Sequence, residues 1–306
     1  MKTPGHVFQP ALLLLAALLF VFPAASLAQA APAKPLDPIA AIVDAFKTHD
    51  VVALGEGNHG NEQGSAFREK LYRDSRFQAA VNDIVVEAGN GRQQAMMDRY
   101  IAGEDVPEKE LRMAWLLTTQ AHTVWDRDMY RDMFRTIRDI NRTLPKARQL
   151  RVILADPPFP PEPGSGPMIF DKFPADIVLS EVTAKKRKAL IVYGSLHYLR
   201  VQAQPQQTPG QLAPARPASI VARLETAGVK VFSINTVPGT VAGGALPSLQ
   251  ADIARWPAPS LTMVKDTPLG LAPFSFYQPN YPGTLQEQFD ALLYQGPLSG
   301  MTQAPP

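Results

Sequence analysis

The chain has 306 residues, with 30 Lys and Arg against 28 Asp and Glu; its formal charge of only +2 argues against a nucleic-acid-binding protein that works through a basic face. With 45% hydrophobic and 19% charged residues, the composition excludes wholesale disorder and supports a packed core. The chain contains no cysteine, which excludes disulfides, zinc–thiolate sites, iron–sulfur clusters and a cysteine nucleophile.

The first 30 residues have the pattern of a secretory signal peptide. Lys2 precedes an apolar run over 11–22, shorter than the ~20 residues of a membrane span, and small residues end the segment at Ala28 and Ala30. We expect cleavage after Ala30, a secreted or periplasmic location and no remaining membrane anchor; the alternative is an uncleaved anchor helix. The predicted organisation is a signal peptide (1–30), a linker (31–38), a single α/β domain (39–297) and a C-terminal tail (298–306).

Beyond the linker, short apolar runs alternate with segments of helical periodicity. Runs bounded by polar or glycine-rich turns predict strands buried on both faces, and apolar residues at helical spacing predict the helices between them. Such alternation predicts an α/β fold of three layers, αβα, with a central, mainly parallel sheet. The predicted strands cover 51–55, 83–87, 151–156, 189–194 and 229–235, and the predicted helices cover 39–46, 62–78, 91–101, 107–117, 123–142 and 220–227.

Two details refine this outline. The longest predicted helix begins with Thr123 as its N-cap and has Asp126 three residues later. The proline-rich segments 156–167 and 202–217 can be neither helix nor central strand. Each begins soon after a predicted strand, so we expect both on one rim of the sheet, either as walls of a substrate entrance or as surface insertions without a role.

Ionisable residues follow four of the predicted strands. Glu56 and His59 come after the first strand, and Glu87 and Asp156 end the second and third. His197 follows the fourth. Because the carboxyl ends of parallel strands meet at one edge of a sheet, these five side chains are expected to line one crevice that takes a small-molecule substrate.

Two chemistries remain open for this cluster. Glu56 and Glu87 can orient His59 so that it takes a proton from water attacking an ester or similar carbonyl, while His197 stabilises the developing charge. That mechanism needs no cofactor. The same four side chains also suit a divalent transition ion, which would generate the hydroxide itself.

Other catalytic motifs are weak or missing. Ser195 follows a strand, but the Gly-x-Ser-x-Gly elbow of serine hydrolases is absent. Neither glycine-rich turn has the Gly-Lys-Ser/Thr ending of a phosphate-binding loop. His122, just ahead of the long helix, is either a residue of the pocket edge or a plain neighbour of the helix N-terminus.

Residues 54–71, LGEGNHGNEQGSAFREKL, resemble the opening motif of the erythromycin esterase-like family, in which a strand is followed by Gly-Glu-x-x-His-Gly and a helix. The resemblance covers most of the mature chain and continues in 85–91, 125–127, 193–198 and 288–297. It implies a metal-independent hydrolase of esters or lactones. His59 would be the base, Glu56 and Glu87 its supporting carboxylates, and His197 a second polar group. Independently of the resemblance, we expect His122, Asp156, Trp125 and Arg127 to contact the substrate.

The layout is also similar to a wider superfamily that includes ChaN-like haem-binding lipoproteins and Tiki-type metal-dependent proteases. Their Gly-Glu-x-x-His and later Gly-x-x-His elements serve ligation, and residues 194–197 fit the second element. This resemblance implies haem or a divalent metal as the alternative cofactor, with Glu56, His59, Glu87 and His197 as ligands. The predicted export and the proline-rich loops depart from antibiotic esterases and argue against a macrolide as the substrate.

Overall fold

The structure, a computed structural model, describes residues 31–120, 122–164, 170–202, 217–237, 253–276 and 281–297. The predicted signal peptide (1–30), the predicted tail (298–306) and nearly all of the proline-rich segment 202–217 lie outside the described residues. Within these described ranges, no helix is both long and apolar enough to cross a membrane.

A seven-stranded sheet occupies the centre of the described part of the chain. Its spatial order is β3-β2-β4-β1-β5-β7-β6, and all neighbours are parallel except β6, which runs antiparallel to β7. The predicted mainly parallel sheet is confirmed, and all five predicted strands are present; β6 and β7 were not predicted. The strands are β1 (Val51–Gly55), β2 (Asp83–Asn90), β3 (Arg151–Asp156), β4 (Ala189–Tyr193), β5 (Val231–Val237), β6 (Ser260–Met263) and β7 (Ala291–Tyr294).

Helices cover both faces of this sheet, which confirms the three-layer αβα fold. Side chains alternate along β1, so that Val52 and Leu54 join one core while Val51 and Ala53 join the other. On the first face lie α1 (Pro38–Ala45), α2 (Glu62–Arg73), α3 (Ser75–Ala80), α4 (Gln94–Ile101), α5 (Glu108–Leu116), α6 (His122–Trp125) and α7 (Asp128–Asn141). On the second lie α8 (Lys172–Ile177), the π-helical turn Val178–Thr183, α9 (Ile220–Thr226), α10 (Pro268–Leu271) and α11 (Leu285–Gln288).

The helix predicted over 62–78 is in fact two helices. Asp74 is extended, and its carboxylate accepts the backbone N–H groups of Arg76 and Phe77, which begins α3. An N-cap in the middle of an apolar-periodic segment therefore ends one helix and starts the next.

The prediction of one helix over 123–142, capped by Thr123, was also wrong. The first helix begins at His122, and Arg127 is extended, with φ −138° and ψ 141°, which separates α6 from α7. Asp126 does not complete a cap, because its carboxylate pairs with Arg112 at 2.7 Å.

Strand order sets which residues meet at the carboxyl edge of the sheet. Because β4 lies between β1 and β2, the residues that follow β4 are flanked by those of both neighbours. The pairing of β2 with β4 ends at Val86, and β2 itself continues to Asn90 along β3 with a register shift. Glu87 therefore lies inside β2, at the point where β2 separates from β4, and not at its end as predicted.

The described part of the first proline-rich segment lies on the predicted rim. The side chain of Asn90, at the end of β2, donates to the Phe159 carbonyl at 2.6 Å and accepts the Phe159 N–H at 3.1 Å. Arg92 donates to the Pro160 carbonyl at 2.6 Å. Hydrogen bonds from the side chains of Asn90 and Arg92 thus hold the proline-rich loop at the carboxyl edge of the sheet.

The end of β1 can accommodate only a glycine. A Cβ atom on Gly55 would lie 2.2 Å from Ser195 Oγ and 2.9 Å from the Ile234 carbonyl oxygen. We expect Gly55→Ala to lower the free energy of unfolding by about 1–3 kcal/mol, measured by urea denaturation, because the added methyl group overpacks the site.

A double-mutant cycle controls this prediction. Ser195 Oγ is buried and has no hydrogen-bond partner among the described residues, so Ser195→Ala alone should not lower stability. Gly55→Ala combined with Ser195→Ala should regain part of the loss, since the shortest contact disappears. A double variant no more stable than Gly55→Ala would contradict the steric explanation.

Candidate active site

Glu56 and His59 are brought together by a tight turn after β1. The turn uses Gly57 and Gly60 in the left-handed region, with φ 74° and 79°, which glycine adopts without strain. It returns the His59 ring to Glu56, so that Nδ1 lies 2.7 Å from the Glu56 Oε2. Asn61 then caps α2, so the position of His59 is fixed between a strand end and a helix start.

The Glu56 carboxylate is buried, with 3% of its surface exposed. Its Oε1 accepts a hydrogen bond from Arg68 at 2.9 Å and another from the Tyr130 hydroxyl at 3.1 Å. Burial by itself would raise the pKa of Glu56, but the Arg68 charge and the hydrogen bonds from His59 and Tyr130 outweigh it and hold the pKa below its ordinary value. Glu56 is therefore an ionised, oriented carboxylate beneath His59.

The His59 ring has one bonded nitrogen and one open nitrogen. The tautomer that donates from Nδ1 to Glu56 leaves Nε2 as an acceptor, and Nε2 has no hydrogen-bond partner in the described part of the chain. The Trp125 ring packs edge-on against His59, with centroids 4.6 Å apart. Burial alone would lower the pKa of His59, but the hydrogen bond and charge of Glu56, with a smaller effect of Glu87, raise it above 6.5.

His197 is held between two carboxylates. It lies in a 3-10 turn, Ser195–Tyr198, directly after β4. Its Nδ1 is 2.5 Å from Asp171 Oδ1, and its Nε2 is 3.4 Å from Glu87 Oε1. Burial alone would lower the pKa of His197, but the hydrogen bonds to Asp171 and Glu87 outweigh it and raise the pKa to about 10. At neutral pH this ring is therefore an imidazolium that donates from both nitrogens.

The two histidines face one small space beside Gly194. A Cβ atom on Gly194 would lie 3.5 Å from the His197 Cδ2 and 3.6 Å from the His59 Cε1. The Gly194 N–H donates to Glu87 Oε2 at 2.8 Å, which fixes the backbone here. Because glycine has no side chain, the position between the two rings is not occupied by residue 194. A group placed there would meet the basic nitrogen of His59, which can accept a proton, and the positive charge of His197.

Asp156 and Trp125, predicted to contact substrate, are both buried. Asp156 accepts the Thr119 N–H at 2.7 Å and the Thr119 hydroxyl at 2.5 Å. Burial, with a smaller contribution from the charge of Glu87, raises the pKa of Asp156 to about 6, although the Thr119 hydrogen bonds oppose the shift. Trp125 has no exposed surface and packs between the rings of His59 and Tyr130. Both residues support the walls of the site.

Arg127 and His122 complete the predicted set. The Arg127 guanidinium lies over the turn: its Nε is 2.9 Å from where a Cβ atom on Gly60 would stand. Arg127 Nε also donates to the Val124 carbonyl at 3.2 Å. His122 begins α6, and its side chain lies outside the described residues.

The donor atoms of the cluster do not fit a metal site as they are arranged. Both nitrogens of His197 and Nδ1 of His59 already face carboxylates. Over the described ranges, no three His, Asp or Glu side chains are grouped so that they could hold a metal ion. A haem iron takes an imidazole nitrogen as axial ligand, and here Nε2 of His59 is the one without a partner in the described residues.

Sequence reasoning missed three residues of the site: Arg68, Tyr130 and Asp171. Arg68 could have been predicted, because it lies on the face of α2 that also buries Gly64 and Leu71. A charged side chain on a buried face requires a partner of opposite charge. Tyr130 lies on the buried face of α7 among apolar side chains, and Asp171 lies in a long connection, so neither had a comparable signal.

No family model and no curated protein matches this sequence. A succinoglycan biosynthesis protein aligns with a TM-score of 0.64 and 10% identity, over 89% of this chain and 96% of that one. A mutant of the erythromycin esterase EreC in its open conformation aligns with a TM-score of 0.56 and 12% identity, over 85% and 93%. ChaN of Campylobacter jejuni, with cofacial haem, aligns with a TM-score of 0.46 and 13% identity, over 68% and 89%.

These likenesses concern the fold. At such identities, the first two matches show that this chain shares its architecture with those proteins, and the ChaN match is too distant to support an argument. The resemblance to erythromycin esterases is therefore confirmed at the level of the fold, while its chemistry has to be argued from the side chains.

The double carboxylate contact predicts an unusual titration of His197. We expect its imidazole nitrogens, followed by ¹⁵N NMR, to lose a proton with a midpoint of about 10. Asp171→Asn should lower this midpoint, because it removes the nearer carboxylate. Asp176→Asn, a change in α8 to a carboxylate that pairs with Lys172 and not with His197, is the matched control and should leave the midpoint unchanged. Equal midpoints in all three proteins would refute the proposed role of Asp171.

Proposed function

We propose that this protein is a hydrolase in which His59 activates water for attack on an ester or lactone carbonyl. One observation supports this most directly: His59 is bonded through Nδ1 to the buried Glu56 carboxylate at 2.7 Å, while its Nε2 faces the space beside Gly194 and the imidazolium of His197. A base and a positive charge that border one position both favour ester hydrolysis by water.

In the first step, His59 takes a proton from the attacking water at Nε2. Glu56 accepts the Nδ1–H and so selects the tautomer with a free Nε2. As the proton arrives, the His59 ring becomes positive next to an ionised carboxylate, which stabilises the new charge. Arg68 and Tyr130 keep Glu56 oriented throughout.

In the second step, the hydroxide bonds to the carbonyl carbon, and negative charge develops on the carbonyl oxygen beside the Cδ2 edge of His197. The N–H groups of His197 stay on Asp171 and Glu87, so this ring stabilises the oxygen through its positive charge and not through a hydrogen bond. The carbon–oxygen bond of the ester then breaks. The proton held on His59 passes to the departing alkoxide, which leaves as an alcohol with the carboxylic acid as the other product. Asp171 and Glu87 keep His197 protonated at the pH of this reaction.

The geometry favours water over Ser195 as the nucleophile. Ser195 Oγ is buried against the backbone of Gly55 at the end of β1. No histidine in the described part of the chain bonds to this hydroxyl, so none could activate it. Metal-dependent hydrolysis is less well supported, since His197 has no free ring nitrogen, and haem binding would have only His59 Nε2 as an axial ligand. We also propose export on the strength of residues 1–30, and the amino terminus of the mature protein is the measurement that tests it.

Hydrolysis of chromogenic esters such as 4-nitrophenyl acetate tests the proposal. We expect His59→Gln to lower kcat/KM by at least about 100-fold, because the general base is lost. His49→Gln, which changes a histidine ahead of β1 at the opposite edge of the sheet, should have little effect, and so should Ser195→Ala. Activity should persist after treatment with a chelator. Loss of activity with the chelator would refute the metal-independent mechanism, and full activity in His59→Gln would refute the role of His59.

The two histidines together predict a bell-shaped dependence of kcat/KM on pH. Only neutral His59 can accept a proton, so the rate should rise as pH passes through the pKa of His59, which lies above 6.5. Only protonated His197 carries the stabilising charge, so the rate should fall as pH passes through about 10. In Asp171→Asn the falling limb should move to lower pH. A falling limb that stays in place in this variant would contradict the assignment.

A further inference from the structure

A cavity lies between α2 and α7, with a volume of about 260 Å³. Arg68 and Tyr72 of α2 line it together with Met129, Met133 and Thr136 of α7. Neither His59 nor His197 is among its lining residues. The cavity is therefore distinct from the space beside Gly194, although both regions involve Arg68.

One buried polar group in this cavity has no hydrogen-bond partner in the described part of the chain, and the arginine beside it uses only part of its donor capacity. The Tyr72 side chain is 1% exposed, and its hydroxyl has no partner among the described residues. The Arg68 guanidinium donates to Glu56 from Nη2, and its other N–H groups bond to no described residue. Buried polar groups are almost always paired, so the unpartnered Tyr72 hydroxyl calls for an explanation.

The lining indicates the class of ligand. A guanidinium binds a planar carboxylate through parallel hydrogen bonds, and burial raises the pKa of Tyr72 to about 12, which keeps its hydroxyl a donor. The thioether side chains of Met129 and Met133 offer an adaptable apolar wall. The cavity thus combines hydrogen-bond donors for an oxyanion with a surface for a small apolar group.

Acidic residues at the rim do not exclude an anion, because arginines neutralise them. Glu69 pairs with Arg73 at 3.0 Å. Asp132 pairs with Arg135 at 3.3 Å. Asp139, the third acidic lining residue, pairs with Arg142 at 2.9 Å. All three carboxylates are thus already engaged, whereas the Arg68 guanidinium still has donors to offer.

We propose that this cavity binds a small organic carboxylate, with its charged group on Arg68 and Tyr72 and its apolar part on Met129 and Met133. The site is separate from the proposed catalytic reaction. Because Arg68 also donates to Glu56 at 2.9 Å, the bound carboxylate shares a guanidinium with the residue that orients His59. A ligand in the cavity would therefore contact the same arginine that holds Glu56, the carboxylate that orients His59.

Titration with benzoate tests the proposal in the full chain carrying ¹³C-methyl methionine. We expect saturable shifts of the Met129 and Met133 methyl signals, assigned through Met129→Leu and Met133→Leu, while the Met263 signal in β6 stays in place. Tyr72→Phe should weaken binding about tenfold, because it removes a hydrogen bond to a charged group. Tyr198→Phe, which alters a buried tyrosine bonded to the Ile191 carbonyl on the other face of the sheet, should bind as wild type does.

Three results would overturn the proposal. One is the absence of saturable shifts at Met129 and Met133. Another is loss of binding in His197→Gln, which would place benzoate in the catalytic space. The third is equally tight binding of benzamide, which would exclude a carboxylate-specific site.

A second variant makes the test independent of Tyr72→Phe. Ser65 also lines the cavity, and Ser65→Leu should abolish benzoate binding by filling it. Circular dichroism checks that both variants are folded; benzoate binding to folded Ser65→Leu with wild-type affinity would likewise overturn the proposal.

Discussion

The structure depends on a negative charge buried at the carboxyl end of β1. An ionised carboxylate under a protein surface is strongly unfavourable unless charged and hydrogen-bonding partners surround it. For Glu56 these partners come from three segments: His59 from the turn, Arg68 from α2 and Tyr130 from α7. The turn and two helices are thus positioned by the same carboxylate that orients the proposed base. The same ion pair and hydrogen bonds therefore hold the turn against the two helices and orient the His59 ring.

The two histidines differ because their carboxylate partners differ in number. His59 faces one carboxylate and keeps a nitrogen open, whereas His197 lies between Asp171 and Glu87. Two groups of the same type thereby acquire different protonation behaviour, and the proposed mechanism uses one as a proton acceptor and the other as a cation, in the way that environment divides acid from base in many active sites. Strand order produces this division, since β4 delivers His197 between the ends of β2 and β1.

Sequence patterns predicted the strands and their shared edge because buried parallel strands are continuous apolar runs. The division of two predicted helices into shorter ones was not predicted. A single extended residue, Asp74 in one case and Arg127 in the other, separates the helices without changing the spacing of apolar residues along the sequence. The short strands β6 and β7 lie among proline- and glycine-rich segments that obscure them. Asp171 escaped because its partner is 26 residues away and no local pattern encodes the contact.

Similarity of fold does not determine the chemistry at this edge of the sheet. The architecture is shared with a succinoglycan biosynthesis protein and with an erythromycin esterase, at identities of 10% and 12%. One scaffold hosts unrelated reactions, so the reaction has to follow from the side chains. Gly194 matters here, because a Cβ atom at this position would contact both the His59 and the His197 ring. With glycine there, the basic nitrogen of His59 and the His197 ring border a common position, and the proposal of ester hydrolysis by water rests on that juxtaposition.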